Sequence, residues 1–328
     1  MTEVEFIFQS HKEAPEFIHK MLSEVDAIDF TDKKEAIIVT SAAEKQFERD
    51  YKKILDKYNF PVKVIGSVNS CGEARNIGAR QAKYENLIFA DMHVCFTGNG
   101  VRRLLETLDK HPKAAVAPTI GPGEFPACAC EKLKQDANSI EFPNCENTQV
   151  AGGMAYKFVE RPFEWVWLPL EKKEEEYKTP MCCGCAYAMK KSLFGQLDEY
   201  GGFLYSRVGG LGAEEAFGAR LARIADGVYI EPRATFLHLF KGYKGHPKWD
   251  EHMTRGFYES RVLAVYLDVF DENICRHITT LCKEHWGTEW DKNLRLARER
   301  FRWLREKLRP LRGKIKEGDY YIISGQRA

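Results

Sequence analysis

Across its first 120 residues the chain alternates short apolar runs with longer amphipathic stretches, and this limits the possible folds more than any other feature. Val4 to Phe8 is the first apolar run. Phe17, Ile18, Met21, Leu22 and Val25 then recur at helical spacing. Ala36 to Val39 is a second run, followed by a stripe of Phe47, Tyr51, Ile54, Leu55 and Tyr58. Val62 to Ile65, a helix over Glu73 to Lys83, and Leu87 to Ala90 repeat the pattern. A helix over Val101 to Leu108 and a strand over Ala114 to Ala117 extend it. Strands separated by helices of this length predict a mostly parallel sheet covered on both faces. Ligands of such sheets bind beyond the carboxyl ends of the strands, and Asp91 falls at one of those ends.

The ends of the elements carry their own signals. Ser10-His-Lys-Glu13 reads as a capping box ahead of the first helix, with Pro15 in its first turn and Glu13 as the capping partner. From Pro118 to Thr179 the pattern is irregular and rich in Gly, Pro, Cys and aromatics, as in a functional segment or a lid. Ala186 to Met189 then reads as a strand, and Ala213 to Ala225 as a helix stopped by Asp226-Gly227. Val228 to Ile230 and Thr235 to Leu239 read as two strands. Beyond Trp249 the chain turns helical and charged, with Val262, Leu263, Tyr266 and Val269 on one face. Arg and Lys are dense between Leu294 and Leu311.

Composition narrows the class. A chain of 328 residues, 44% hydrophobic and 30% charged, has the profile of a soluble globular protein. Its formal net charge of +1 gives no global pull toward nucleic acid or anionic membrane, the basic C-terminal segments being offset elsewhere. No apolar run approaches the ~18 residues of a membrane span, and the first residues lack a signal-peptide pattern. The expectation is a cytoplasmic protein with reduced thiols.

The chemistry gathers in a few segments. Cys71-Gly-Glu-Ala-Arg75-Asn76-Ile-Gly78 is followed by Leu87-Ile-Phe-Ala-Asp91-Met-His93. Together they resemble family-2-type glycosyltransferases, and the Asp-x-His form is similar to the polypeptide N-acetylgalactosaminyltransferases. His11-Lys-Glu13-Ala14 is similar to the His-Asn-Glu-Ala of that group. Trp165-Val-Trp167-Leu-Pro169 with Thr179-Pro180 and Gly184, Gly212-Ala-Glu214-Glu215, and His238 within Phe-Leu-His-Leu-Phe-Lys follow in the same order. The likeness runs over about residues 4 to 270. It implies an α/β protein of the GT-A fold, with a catalytic domain over 1–248 and a helical extension over 249–328 packed on it. It also implies transfer from a nucleotide-sugar, a UDP-sugar by preference, to an acceptor hydroxyl that the sequence does not identify.

Within that resemblance Asp91, His93 and His238 are the expected metal ligands. A divalent ion stabilises the charge that develops on a departing diphosphate. Two imidazoles and a carboxylate suit Mn2+ better than Mg2+. His11, Ser41, Arg75 and Asp91 are the expected donor contacts. Ser41 stands, with Val39 and Thr40, where relatives carry an acidic residue for the base. Glu214 and Glu215 are the candidate acceptor base and sugar contacts.

Each assignment has a plainer rival. Asp-x-His recurs by chance, and His238 alone reads as a core histidine. Arg75 reads equally as a surface salt bridge, and two acids at a helix start suit the helix dipole. Trp165, Trp167 and Trp249 read first as packing residues. The cysteines at 128, 130, 145, 182, 183 and 185 read first as packed thiols or a disulfide, and second as a zinc or iron–sulfur site. The rival functions are a non-catalytic nucleotide-sugar binder and a cysteine-cluster metal or redox protein.

Overall fold

The computed structural model describes residues 2–11, 13, 15–68, 70–96, 99–122, 174–179, 184–203, 213–238, 262–263, 265–267 and 272–311. At 151–157, 164–169, 213–216, 219, 273–274 and 277–278 it describes the backbone alone.

Four strands and three helices alternate first: β1 (Glu3–Ser10), α1 (Pro15–Asp26), β2 (Lys33–Thr40), α2 (Glu44–Leu55), β3 (Val62–Ile65), α3 (Cys71–Gln81) and β4 (Asn86–Asp91). The edge strand β5 (Val94–Phe96), α4 (Gly100–Lys110) and β6 (Ala115–Pro122) follow. Then come β7 (Ala151–Lys157), β8 (Glu164–Pro169), β9 (Tyr177–Thr179), β10 (Ala186–Lys190), α5 (Lys191–Glu199), α6 (Ala213–Ile224) and β11 (Val228–His238). Two helices close the described chain, α7 (Glu272–Trp286) and α8 (Thr288–Leu308).

The sheet order is β3-β2-β1-β4-β10-β6-β11-β5, with β7, β8 and β9 off this path. Strands β1 to β4 are mutually parallel, and β10 runs against both β4 and β6. Because β6 and β11 are parallel, their carboxyl ends open on the same side as that of β4. The predicted α/β class is therefore the observed one.

Period-two alternation divides the strands between two cores. Val4, Phe6, Phe8, Ile38, Ile88 and Ala90 pack with α1, α2 and α4 on one face. Ile7, Ile37, Val39, Leu87 and Phe89 pack with α3, α5 and α6 on the other. At Gly78 a Cβ would stand 2.4 Å from a methyl of Ile7, so the glycine lets α3 approach β1 closely. The N-cap of α3 is Ser70, whose Oγ accepts from the backbone N of Glu73 at 3.4 Å.

Three expectations are revised. Ser10 belongs to β1 and α1 opens at Pro15, so Ser10 and Glu13 do not form a capping box. The segment 118–179 holds regular structure: β6 extends to Pro122, β7 and β8 pair antiparallel, and β9 joins β11. The two strands expected at 228–239 are one strand with an irregularity between Glu231 and Thr235. Pro232 lies there and has no N–H for the ladder, while the Arg233 N–H is taken by the Glu231 carboxylate at 2.9 Å.

In α8, Trp290, Ala297, Leu304 and Leu308 are buried, and the backbone departs from helical geometry at Phe301. No helix is long and apolar enough to cross a membrane among the described residues.

Candidate metal and donor site

β4 delivers Asp91 to the carboxyl end of the sheet, and the next two residues turn the chain into β5. Met92 is buried. The Asp91 N–H donates to the Cys185 carbonyl at 2.8 Å, which fixes the turn against the start of β10. β11 pairs with β5 so that His238 lies opposite Val94, one residue from His93. Asp91, His93 and His238 thus offer ligand atoms that all lie within 4.8 Å of one another. They are the group of this kind found among the described residues.

The separations suit a shared ion. His93 Nε2 and His238 Nε2 are 3.1 Å apart. Asp91 Oδ2 is 3.4 Å from His238 Nε2 and 3.8 Å from His93 Nε2. Ligands held at about 2.0–2.2 Å from one cation are themselves roughly 3–3.6 Å apart, so these atoms need little movement to enclose one.

The surroundings fix the ionisation of Asp91. Burial alone would raise its pKa, but the hydrogen bond with His238 and the charges of His93, His238 and Arg75 hold it at about 2. Arg75 Nη2 lies 3.8 Å from Asp91 Oδ1 and donates to the Gly184 carbonyl at 2.6 Å. Its guanidinium also sits over the rings of Tyr187 and Phe203, at 5.7 and 5.9 Å. Only 4% exposed, Arg75 is no surface salt bridge. Its neighbour Asn76 clasps the backbone of Phe203, donating to the carbonyl at 3.0 Å and accepting from the N–H at 2.7 Å. Gly202 stands beside this clasp at φ +60, where a Cβ would meet Asn76 Oδ1 at 2.4 Å.

Two residues that sequence reasoning did not assign to this site belong to it. Gln9, opposite Asp91 in the β1–β4 register, donates from Nε2 to Asp91 Oδ1. Its position at the carboxyl end of the neighbouring strand was the available signal. Glu13 accepts from His93 Nδ1 at 3.2 Å and is buried, while its own carbonyl accepts from the Tyr51 hydroxyl at 3.0 Å. A carboxylate only accepts, so Nδ1 carries the ring proton and Nε2 keeps its lone pair for the centre. The edge of Phe17 packs on the same imidazole, with ring centroids 6.5 Å apart.

The other expected site residues are placed as follows. His11 is exposed in the bend after β1. Ser41 follows β2, and its N–H donates to the Ser10 carbonyl at 3.1 Å. Glu214 and Glu215 lie in the first turn of α6, and their side chains are outside the described residues. The side chains of Trp165 and Trp167, and all of Trp249, are likewise outside them. Of the clustered cysteines only Cys185 is described, and it is buried; 128, 130, 145, 182 and 183 lie outside the described residues.

A sheet of this order, with Asp-x-His closing its fourth strand, defines a GT-A protein. The family model "Glycosyl transferase family 2" matches residues 7–198, and the chain belongs to that family. It is 27% identical over 267 residues to polypeptide N-acetylgalactosaminyltransferase 3 of Taeniopygia guttata. That alignment covers 76% of this chain and 39% of the relative, so the chain spans well under half the relative's length. Among solved structures, GalNAc-T7 with UDP, GalNAc and Mn2+ superposes with TM-score 0.58 at 18% identity, covering 88% of this chain and 56% of that one. Mannosyltransferase PcManGT from Pyrobaculum calidifontis, in complex with GDP-Man and Mn2+, gives 0.53 at 16% identity, covering 90% and 72%. At these identities the two structures speak to the fold.

Proposed function

We propose that this chain transfers a sugar from a nucleotide-sugar to an acceptor hydroxyl, with Asp91, His93 and His238 holding a divalent cation. The observation that carries the reading is the convergence of those three ligand atoms at the carboxyl ends of the sheet. The names of the two structural neighbours, each with a nucleotide and Mn2+, support it. The donor set favours Mn2+ over Mg2+, because two of its three members are imidazoles. Bound there, the ion would neutralise charge on the departing diphosphate.

The chain's own residues have separate tasks. Asp91 supplies a fixed negative charge, and Gln9 and Arg75 hold its Oδ1 so that Oδ2 faces the histidines. Glu13 keeps the Nδ1 proton on His93. His11 and Ser41 are proposed as donor contacts, and Glu214 and Glu215 as the acids that engage sugar hydroxyls and take the acceptor proton. A UDP-sugar is the proposed donor. With Thr40 and Ser41 where relatives place an acid, hydroxyls replace a carboxylate toward the base, so discrimination among bases is relaxed.

A screen of donor hydrolysis over nucleotide-sugars with Mn2+ tests the reading. Turnover that stops in excess chelator and returns with Mn2+ supports it. Full turnover in chelator rejects the metal role, and nucleotide-sugar binding without turnover on any acceptor would instead mark a non-catalytic binder.

A further inference from the structure

We propose that the solvent side of α8 is a docking surface for an anionic phospholipid bilayer, a property independent of the proposed transfer reaction. The sequence along α8 repeats one step. Arg295, Arg298, Arg302 and Arg305 in α8, and Arg309 in the 3-10 turn that follows it, alternate spacings of three and four residues, the step of one helix side, with the break in helical geometry at Phe301 between the second and third. All five are exposed. Arg312 continues the spacing and lies outside the described residues.

The buried stripe has the same step, one residue earlier. Leu294 and Phe301 are half-buried, and Ala297, Leu304 and Leu308 are buried. The arginine row therefore lies about 100° around the helix from the face that docks on the protein. It flanks the body and, among the described residues, is not covered by it. Tyr266 supports one of them, with the Arg305 guanidinium 5.2 Å from its ring centre.

Charge points to the partner. Between 295 and 309 there are seven Lys or Arg and two Glu, a local net of +5 in a chain whose total is +1. The remainder of the chain is thus net negative, and this segment carries a local excess of positive charge. Glu299 and Glu306, four residues after Arg295 and Arg302, lie on the solvent side between the arginine row and Trp303 and offset part of its charge, leaving the local net at +5. Lys307 is turned to the body, donating to the Glu199 carbonyl at 2.7 Å. Trp303 is 50% exposed, the one large apolar side chain so exposed among the described residues. It follows Arg302 by one position and lies beyond the two glutamates, about 120° around the helix from the centre of the arginine row. A row of exposed guanidiniums suits an anionic bilayer surface, where arginines meet lipid phosphates. Nucleic acid would use the arginines, but a single ring makes no stacking platform.

Sedimentation of the chain with vesicles tests the proposal. It should pellet with phosphatidylcholine vesicles containing phosphatidylglycerol and not with phosphatidylcholine alone, and the binding should weaken with salt. Each basic residue near such a surface contributes about fivefold in affinity, so R295Q/R298Q/R302Q should lose roughly 100-fold. Glutamine keeps the helix propensity, and circular dichroism and Mn2+ affinity should match the parent. The control K45Q/K52Q/K53Q removes the same charge from exposed positions on α2 and should retain binding. Failure of the parent chain to pellet with anionic vesicles would overturn the proposal. So would equal losses in both triple variants, or tighter arginine-dependent binding to DNA than to vesicles at the same salt.

Discussion

Two carboxylates in this sheet, half-buried Asp91 and fully buried Glu231, show how a similar shift in ionisation accompanies different roles. Burial acts on both to raise the pKa, and in both the neighbours overcome it, so each is held below the usual carboxylate range. The neighbours differ in kind. Glu231 takes the Arg233 guanidinium on both oxygens at 2.7 Å, the Arg233 N–H at 2.9 Å and the Thr107 hydroxyl at 2.6 Å. Each is a fixed donor, and the carboxylate has nothing left to offer. Asp91 instead faces two imidazoles, whose nitrogens can present lone pairs as readily as protons. A carboxylate closed by guanidinium is part of the framework; one that shares a centre with two imidazoles is arranged for an ion.

The sharpest way to break this comparison is Asp91→Asn. The volume is kept and the charge lost, so Mn2+ binding and metal-dependent transfer should both disappear while the thermal transition remains cooperative. Wild-type Mn2+ affinity by titration calorimetry would place the ion elsewhere. Glu13→Gln should act next most strongly. Loss of a partner that orients a ligating histidine costs about 10–100-fold in metal affinity. An affinity unchanged by this variant, measured in the same way, would reduce Glu13 to a packing residue.

Glu231→Gln probes the opposite pole. It should lower stability by about 1–3 kcal/mol, the cost of unmaking a buried charged hydrogen-bond group, with Mn2+ affinity unaltered. A melting curve alongside the calorimetry separates the two effects, and a loss of metal binding without a loss of stability would reverse the assignment. The smallest expected effect is on acid stability without metal. The Asp91 pKa is depressed from 3.8 to about 2, so its contribution is present above about pH 4 and fades as pH falls toward 2. Asp91→Asn should flatten that part of a pH-dependent denaturation series. A slope identical to wild type would mean that the carboxylate is not stabilised by its neighbours.

The alternating pattern of the first 120 residues was enough to place β1 to β4 and their helices, because each strand is a local apolar run and each helix shows its own stripe. Asp91 was legible for the same reason, since the end of a strand can be read where the run stops. The hairpin of β7 and β8 was not, because its residues become strands only through pairing, and pairing is not local. Glu13 shows the limit most plainly. Ser10-His-Lys-Glu13 satisfies a capping pattern on paper, yet its carboxylate serves a histidine 80 residues away.

Sequence by itself determined which residues could ligate a metal and which segments could pair or coil, since both follow from side-chain chemistry and short-range periodicity. Tertiary structure alone decided that His238, 145 positions beyond His93, comes within 3.1 Å of it. That approach depends on the register of β11 against β5 and β6, which is set by packing across the whole sheet and is encoded in no single segment.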